Sequence, residues 1–322
     1  MNRLAASLLI ASALVPGLGM AQPYPAKTVK IVVPAQPGGG LDLIGRTVAD
    51  QLGRAMQQSF IVENSSGGGG SIASQAVARA APDGYTLMVG YVGTHATNPA
   101  VRKVPYDAIR DFTAIAMVGG TPNVLVVHPS VPAADVATFI AYAKKNPGKL
   151  NYGTGGIGTL NHLALEQFRS AAGLEDATYA HYRGIGPALV DLLRGHINVL
   201  VPGLAAALPY VRSNRMRPVA VTGLQRHPLM PEVATFEEAG FKGFDGVQWY
   251  GIVGPAKLPA DITKKRNAEL NKALASPALR ERLAAEAIEP MPMTPEQFGK
   301  YIEGEIARWS RLARERKISL DD

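Results

Sequence analysis

The chain has 322 residues, 47% hydrophobic and 18% charged, a globular composition with material for one large or two moderate cores. Its formal charge of +7 is mild and spread out, which suits attraction of small anions and excludes the dense basic patch of a nucleic-acid binder. With no cysteine, disulfides, thiol catalysis, cysteine-ligated metal and cysteine-linked lipid anchors are all excluded.

Residues 1–21 read as an export signal. Arg3 is the charged n-region, residues 4–15 are apolar, and Gly19-Met20-Ala21 is a small-x-small cleavage site before Gln22. Pro16-Gly17 interrupts the apolar run before it reaches the roughly 18 residues a spanning helix needs. Cleavage after Ala21 and a periplasmic mature protein are therefore expected. The mature chain opens on a buried strand, Val29–Val33. The stretch IVVPAQPGGGLD then joins that strand through Gly38, Gly39 and Gly40 to a helix over about 42–57. Leu43, Ile44, Val48, Leu52 and Met56 share one side of this helix. A strand, a glycine bend and a helix start gather free N–H groups at the positive end of a dipole, an anion cradle in which Asp42 is the expected cap. Taken alone, the same residues equally make an ordinary tight turn.

A strand over 60–63, a second glycine run at 67–70 and a helix capped by Ser71 to about Ala80 follow. Pro82-Asp83-Gly84-Tyr85 then turns the chain into a strand over 86–91. This β-α-β-α-β order predicts an open, largely parallel sheet with helices on both faces. Loops 34–42, 64–71 and 92–98 leave the carboxyl ends of its strands, where such sheets bind ligands. From Asn123 the pattern repeats, with strands over 124–127, 150–152, 178–182, 197–201 and 219–222. Helices are expected over 134–144, from the glycine run at 153–159 to about Ala172, and over 187–193. The tail reads as three helices, over 262–275, 277–286 and 295–317. Thr294-Pro295-Glu296-Gln297 gives the last one a capping box with proline at its first position. On it Arg308, Arg311, Arg314 and Arg316 alternate with Glu303, Glu305 and Glu315, a solvated face. The expected fold is α/β with two lobes, each a mostly parallel sheet flanked by helices. Residues 22–122 plus 226–322 form lobe 1 and 123–225 form lobe 2, with a ligand cleft between them.

Gly153-x-Gly155-x-x-Gly158 matches the dinucleotide fingerprint, with Glu175 and Asp176 downstream. Those acids precede the 178–182 strand instead of ending it, where a ribose contact belongs, so a nicotinamide oxidoreductase stands only as a rival reading. A hydrolase elbow is missing, because Gly69-Gly70-Ser71-Ile72-Ala73 fails at its last position. The six histidines (His95, His128, His162, His181, His196, His227) lack zinc spacing, and no carboxylate pair stands out for acid/base work. No metal, cofactor or catalytic residue is expected. What remains is two glycine-lined helix N-termini, one per lobe, which facing each other would suit a small dicarboxylate. A hinged cleft of this kind closes on its ligand and describes a binding protein, not an enzyme. His95 beside Thr94, and His162 in the first turn of its helix, are candidate donors.

At these residues the chain resembles a known family. Tyr24-Pro25-x-Lys27, VVPAQPGGGLD, Val62-Glu63-Asn64, Ala81-Pro82-Asp83-Gly84-Tyr85 and Gly93-Thr94-His95 with Asn98-Pro99 carry the likeness. So do Pro147-Gly148-Lys149-Leu150-Asn151-Tyr152, Gly158-Thr159 with His162, Tyr182-Arg183-Gly184 and Trp249-Tyr250-Gly251. Together they are similar to the Bug family, periplasmic receptors of tripartite tricarboxylate transporters. The resemblance implies a type II periplasmic binding fold that takes a small carboxylate. It implies a monomer without nucleic acid or cofactor, serving the membrane subunits of such a transporter. A receptor that signals to a membrane sensor is the alternative output. Ligand contacts are implied at Pro37, Gly38, Gly39, Gly40, Leu41 and Asp42, and at Gly93, Thr94 and His95. Further contacts are implied at Gly153, Thr154, Gly155, Gly156, Gly158, Thr159 and His162, and at Pro202 and Gly203. Two positions depart from the pattern: Leu41 replaces a common Ser or Thr, and Pro202-Gly203 replaces a common Asp-Asn. Without that acid an ammonium lacks its partner, so the expected ligand has no amine and an apolar or aromatic middle lying against Leu41 and Leu204.

Overall fold

Apolar runs separated by glycine bends sort the chain into two sheets with helices on both faces of each. The computed structural model describes residues 24–38, 40–174 and 177–320; the expected leader, Gly39, Glu175 and Asp176 lie outside the described residues. The first elements are β1 (Val29–Val33), α1 (Gly40–Met56), β2 (Phe60–Asn64), α2 (Ser71–Ala78), β3 (Thr86–Tyr91), α3 (Asn98–Val101) and β4 (Phe112–Pro122). The second sheet and its helices follow as β5 (Val124–Val127), α4 (Val136–Lys145), β6 (Asn151–Thr154), α5 (Leu160–Ala172), β7 (Thr178–His181) and α6 (Ile185–Leu193). Next come β8 (Val199–Leu200), α7 (Leu204–Arg212) and β9 (Arg217–Val221). The chain closes with β10 (Val247–Pro255), α8 (Ala260–Leu274), α9 (Pro277–Ala285), β11 (Glu289–Pro290) and α10 (Pro295–Glu315).

The strand orders are β11-β4-β10-β3-β1-β2 and β7-β6-β8-β5-β9. β1 pairs parallel with β2 and β3, as the βαβ pattern requires, but β10 lies antiparallel between β3 and β4. In the second sheet β6 is parallel to β7 and β8, while β5 is antiparallel to β8 and β9. Both sheets are thus mixed, not mostly parallel. The cause is the path of the chain, which leaves the first sheet along β4 and returns to its middle along β10.

Each sheet buries apolar side chains on both faces. Ile31 and Val33 meet Ile44, Val48 and Leu52 of α1, spaced i, i+4, i+8, together with Leu270 and Leu283 of α8 and α9. The opposite face packs Met88 and Trp249 against Phe298, Ile302 and Trp309 of α10. The capping box of α10 is formed: Gln297 N donates to Thr294 Oγ1 at 3.2 Å, and Thr294 N to Gln297 Oε1 at 2.9 Å. Full burial of side chains of this size contributes about 1.5–3 kcal/mol each. Ser71, by contrast, is the first residue of α2 and does not cap it; Gly70 holds the N-cap with no side-chain bond.

The stretch 226–246, expected with lobe 1, packs on the second sheet instead. Met230 and Val233 join the core with Leu204 and Val221, and Phe236 and Phe241 meet Phe168 at ring-centroid distances of 5.0 and 5.5 Å. The two strand crossings between the sheets, at Asn123 and at Gly246, are tied together. Asn123 N donates to Thr222 Oγ1 and Thr222 N to Asn123 O, both at 2.8 Å. Asn123 Nδ2 and Thr222 Oγ1 both donate to Gly246 O, at 3.0 and 2.8 Å. A third link comes from the end of α10, where Arg316 Nε reaches Glu166 Oε2 on α5 at 3.2 Å.

Candidate functional site

A cleft of about 260 Å³ opens where the carboxyl ends of β3 and β6 approach each other. Tyr91, Gly93, Thr97, Asn98 and Arg102 line one wall and Gly155, Thr159, Asn161, Gly184 and Ile185 the other, with Gln248 of β10 between them. Of the residues expected to bind ligand, Gly93, Gly155 and Thr159 line it.

The first wall is built on residues 93–101. In place of the expected loop, Gly93–Thr97 forms a π-helical turn that runs straight into α3. Tyr106 Oη donates to Thr94 O at 2.8 Å and pins the turn. The turn points Thr94 and His95 into the core, where both are fully buried. The His95 ring packs edge-on to Phe112 at 4.6 Å, and its Nδ1 lies 2.8 Å from Thr94 Oγ1. Burial pushes its pKa down to about 3, so it is neutral. Neither residue reaches the cleft, which corrects their assignment as ligand donors. Gly93 lines the cleft, and a Cβ there would collide with the Tyr91 ring.

Residues 67–70 buttress this wall. Gly69 O accepts from Asn98 Nδ2 at 2.8 Å and from Tyr91 Oη at 3.2 Å. Asn98 Oδ1 in turn accepts from Arg102 Nη2 at 2.7 Å. Among the described residues Arg102 is the one charged side chain lining the cleft, and no carboxylate lines it.

The second wall carries two helix starts. Thr159 at the N-cap of α5 and Gly184 at that of α6 make no side-chain cap bond, so the first N–H groups of both helices lack the usual capping acceptor. Gly184 N donates to Gly155 O at 3.0 Å and joins the two turns. Thr159 Oγ1 lies 2.7 Å from both Gly156 O and Asn161 Oδ1, and its single hydrogen serves one at a time. Gly153 faces Ile197 in the core, and Thr154 Oγ1 is buried 2.8 Å from His181 Nδ1. His162, 6% exposed, accepts Gly158 N–H on Nδ1 at 3.1 Å and stacks edge-on to Tyr179 and His181. Burial, with the charge of His181, pushes its pKa down to about 4. It shapes the 156–158 turn from behind and does not reach the cleft. Deeper still, Glu166 receives Arg169 at 2.7 Å, the Tyr179 hydroxyl and Arg316.

None of the described residues of the 37–42 bend lines the cleft; they lie beside it. A Cβ at Gly40 would sit 3.5 Å from Tyr250 Oη, two residues along β10 from Gln248 and on the same face. Pro37, Gly38 and Gly40 are exposed there, and Leu41 packs against the first core. Asp42 is 4% exposed and closes the bend: Oδ2 accepts Gly38 N and Arg46 Nε, and Oδ1 accepts Asn64 Nδ2, each at 2.9 Å. Arg46 and these N–H donors hold its pKa at about 2 against the opposing effect of burial. Asp42 therefore organises the bend and offers no free oxygen. Pro202 and Gly203 sit at the crossing, with Gly203 bridged to Asn123, and Leu204 is fully buried, so none of the three faces the cleft. Among the described residues no group of three His, Asp or Glu side chains could hold a metal ion.

Residues 44–318 match the family described as the tripartite tricarboxylate transporter family receptor. The chain belongs to this family. The receptor is 32% identical over 319 residues to BugT of Bordetella pertussis, an alignment covering 98% of each chain. Rpa4515 of R. palustris, solved with adipate, is similar at a TM-score of 0.81 and 34% identity, covering 92% of this receptor and 99% of its own chain. MatC from Rhodopseudomonas palustris, solved with bound malate, gives 0.76 and 31%, covering 90% and 99%. Members of the family are solute-binding receptors and not enzymes, which retires the oxidoreductase reading. Among the described residues no helix of the receptor is long and apolar enough to cross a membrane. The cleft residues that lie outside every stretch expected to bind ligand are Tyr91, Arg102, Gly184, Ile185 and Gln248. Tyr182-Arg183-Gly184 was a signal for the α6 start; nothing local marked Arg102 or Gln248.

Proposed function

We propose that this receptor, exported and freed of residues 1–21, captures a small dicarboxylate without an amine and delivers it to the membrane subunits of a tripartite transporter. The observation that carries the reading is the charge of the cleft: among the described residues it has one arginine, no carboxylate and two uncapped helix starts. An ammonium group would find no carboxylate partner there among the described residues. At about 260 Å³ the cleft lies below the roughly 300–1,000 Å³ typical of drug-sized ligands, which favours a small metabolite. The adipate and malate named with two relatives belong to the same class. Closure about the Asn123–Thr222–Gly246 crossing brings Pro37, Gly38 and Gly40, which are exposed beside the cleft, toward the ligand.

The test is a thermal-shift and calorimetric screen of refolded, ligand-free receptor. It covers aliphatic and aromatic mono-, di- and tricarboxylates, with aspartate and glutamate as amine-bearing controls. A ligand at 100 times its Kd adds about 2.7 kcal/mol to stability. A selective response to an amine-free dicarboxylate is expected. Tighter binding of aspartate or glutamate than of any amine-free dicarboxylate overturns the amine-free assignment, and a flat response to every carboxylate overturns the reading.

A further inference from the structure

Two features are left over once the cleft is described: the glycine run at 67–70, and an arginine whose charge has no carboxylate partner among the described residues. They belong together. The Arg102 guanidinium donates one hydrogen bond, from Nη2 to Asn98 Oδ1 at 2.7 Å, and its Nε is buried with no acceptor among the described residues. A cationic N–H shielded from water and unpaired is costly, whereas a planar fork of this kind pairs with a carboxylate through two parallel hydrogen bonds. Arg102 itself lines the cleft, together with Asn98, Gly69 and Tyr91.

The corner is built to hold that side chain. Asn98 is held by its own donation to Gly69 O, so its Oδ1 is presented to Arg102 in one orientation. Gly69 is left-handed, with φ 65° and ψ 26°, and a Cβ on it would lie 3.1 Å from Arg102 Nη2 and 3.3 Å from Asn98 Nδ2. Only glycine meets both the backbone angle and the close approach. The opposite wall is chemically different, because it offers uncharged backbone donors at the starts of α5 and α6. One end of the cleft thus carries a full charge and a fork, and the other a neutral cradle.

We infer that Arg102 is the specificity-determining residue of the cleft: it takes one carboxylate of the ligand on its guanidinium and makes the receptor select dianions over monoanions. Asn98 and Gly69 act through it as positioning residues. This rests on the carboxylate-receptor reading above.

The test uses the mature receptor and, as probe, the tightest binder among succinate, malate, adipate and phthalate, together with its monomethyl ester. Calorimetry on the wild type is expected to favour the dianion by about tenfold or more, with a steeper loss of affinity on added NaCl than for the ester. Arg102→Gln is expected to weaken the dianion about 30-fold and to bring the dianion-to-ester ratio close to one. Arg102→Lys, which keeps the charge without the fork, is expected to retain part of that ratio, and it stands in should the glutamine variant not fold. Arg102→Gln binding the dianion as the wild type does, or losing dianion and ester equally, overturns the assignment while leaving the receptor reading intact. A wild type that binds none of the four dianions overturns both.

Discussion

At the scale of single residues, a histidine or an aspartate in a ligand loop means little until its direction is known. His95 and His162 were legible as polar residues beside glycine turns, but the turns aim both away from the cleft. Their burial makes them sensors of acid instead. Each has a folded pKa depressed below the usual value near 6.5, to about 3 for His95 and about 4 for His162. The unfolded chain therefore binds more protons in that range, so the stability each contributes is full above about pH 6.5 and is lost as pH falls toward 3–4. Urea unfolding between pH 7 and pH 4 should show up to about 1.4 kcal/mol lost per pH unit per imidazole. In His95→Gln and His162→Gln the matching share of that slope should vanish, and an unchanged slope in both would refute the assignment. The sequence offers Asp42 as a helix cap; in the structure it is the clasp of its own bend, through three hydrogen bonds that sequence spacing does not encode.

At the scale of elements, what is local was legible and what is assembled was not. Strands β1 to β3, the α10 capping box and most helices follow from apolar periodicity and end signals within a few residues. β4 and β10 escaped notice because Gly119, Gly120, Gly251 and Gly254 break their apolar runs, and α7 because Pro209 lies inside it. The π-helical turn had no signature at all. Two glycines separate local strain from function. Gly69→Ala meets both a left-handed φ and the Arg102 side chain, so it should cost about 1–2 kcal/mol and also weaken dicarboxylate binding. Gly148→Ala has φ 69° but open space around a Cβ, and Gly148 does not line the cleft, so its effect should fall on stability. Urea melts and calorimetry on the two variants check the contrast, which equal losses of affinity would erase.

At the scale of the whole molecule, two α/β bodies were expected from the repeated pattern, and two sheets are present. Their connection was harder to see, because it depends on contacts between residues about a hundred positions apart. Thr222 Oγ1 serves two buried backbone groups at the crossing, accepting from Asn123 N and donating to Gly246 O. Thr222→Val keeps the shape and removes both bonds, and should destabilise the receptor by about 2 kcal/mol or more in urea unfolding. A change within about 0.5 kcal/mol would mean that the crossing is held by packing alone.

The pairing of β10 with β4 brings Val247 opposite Pro122, so the chain departs for the second sheet and comes back from it at the same rung of one ladder. Topologically, residues 123–246 are an insert carried by a hairpin whose tip has been replaced by a whole body. Such an arrangement is modular: the insert could be exchanged for that of a relative by cutting at two neighbouring points, without rethreading the carrier. The seam is not free, because Leu160 and Leu163 of the insert are buried in the carrier's core with Trp249. A successful chimera must bring matching apolar side chains at those two positions along with its new cleft wall.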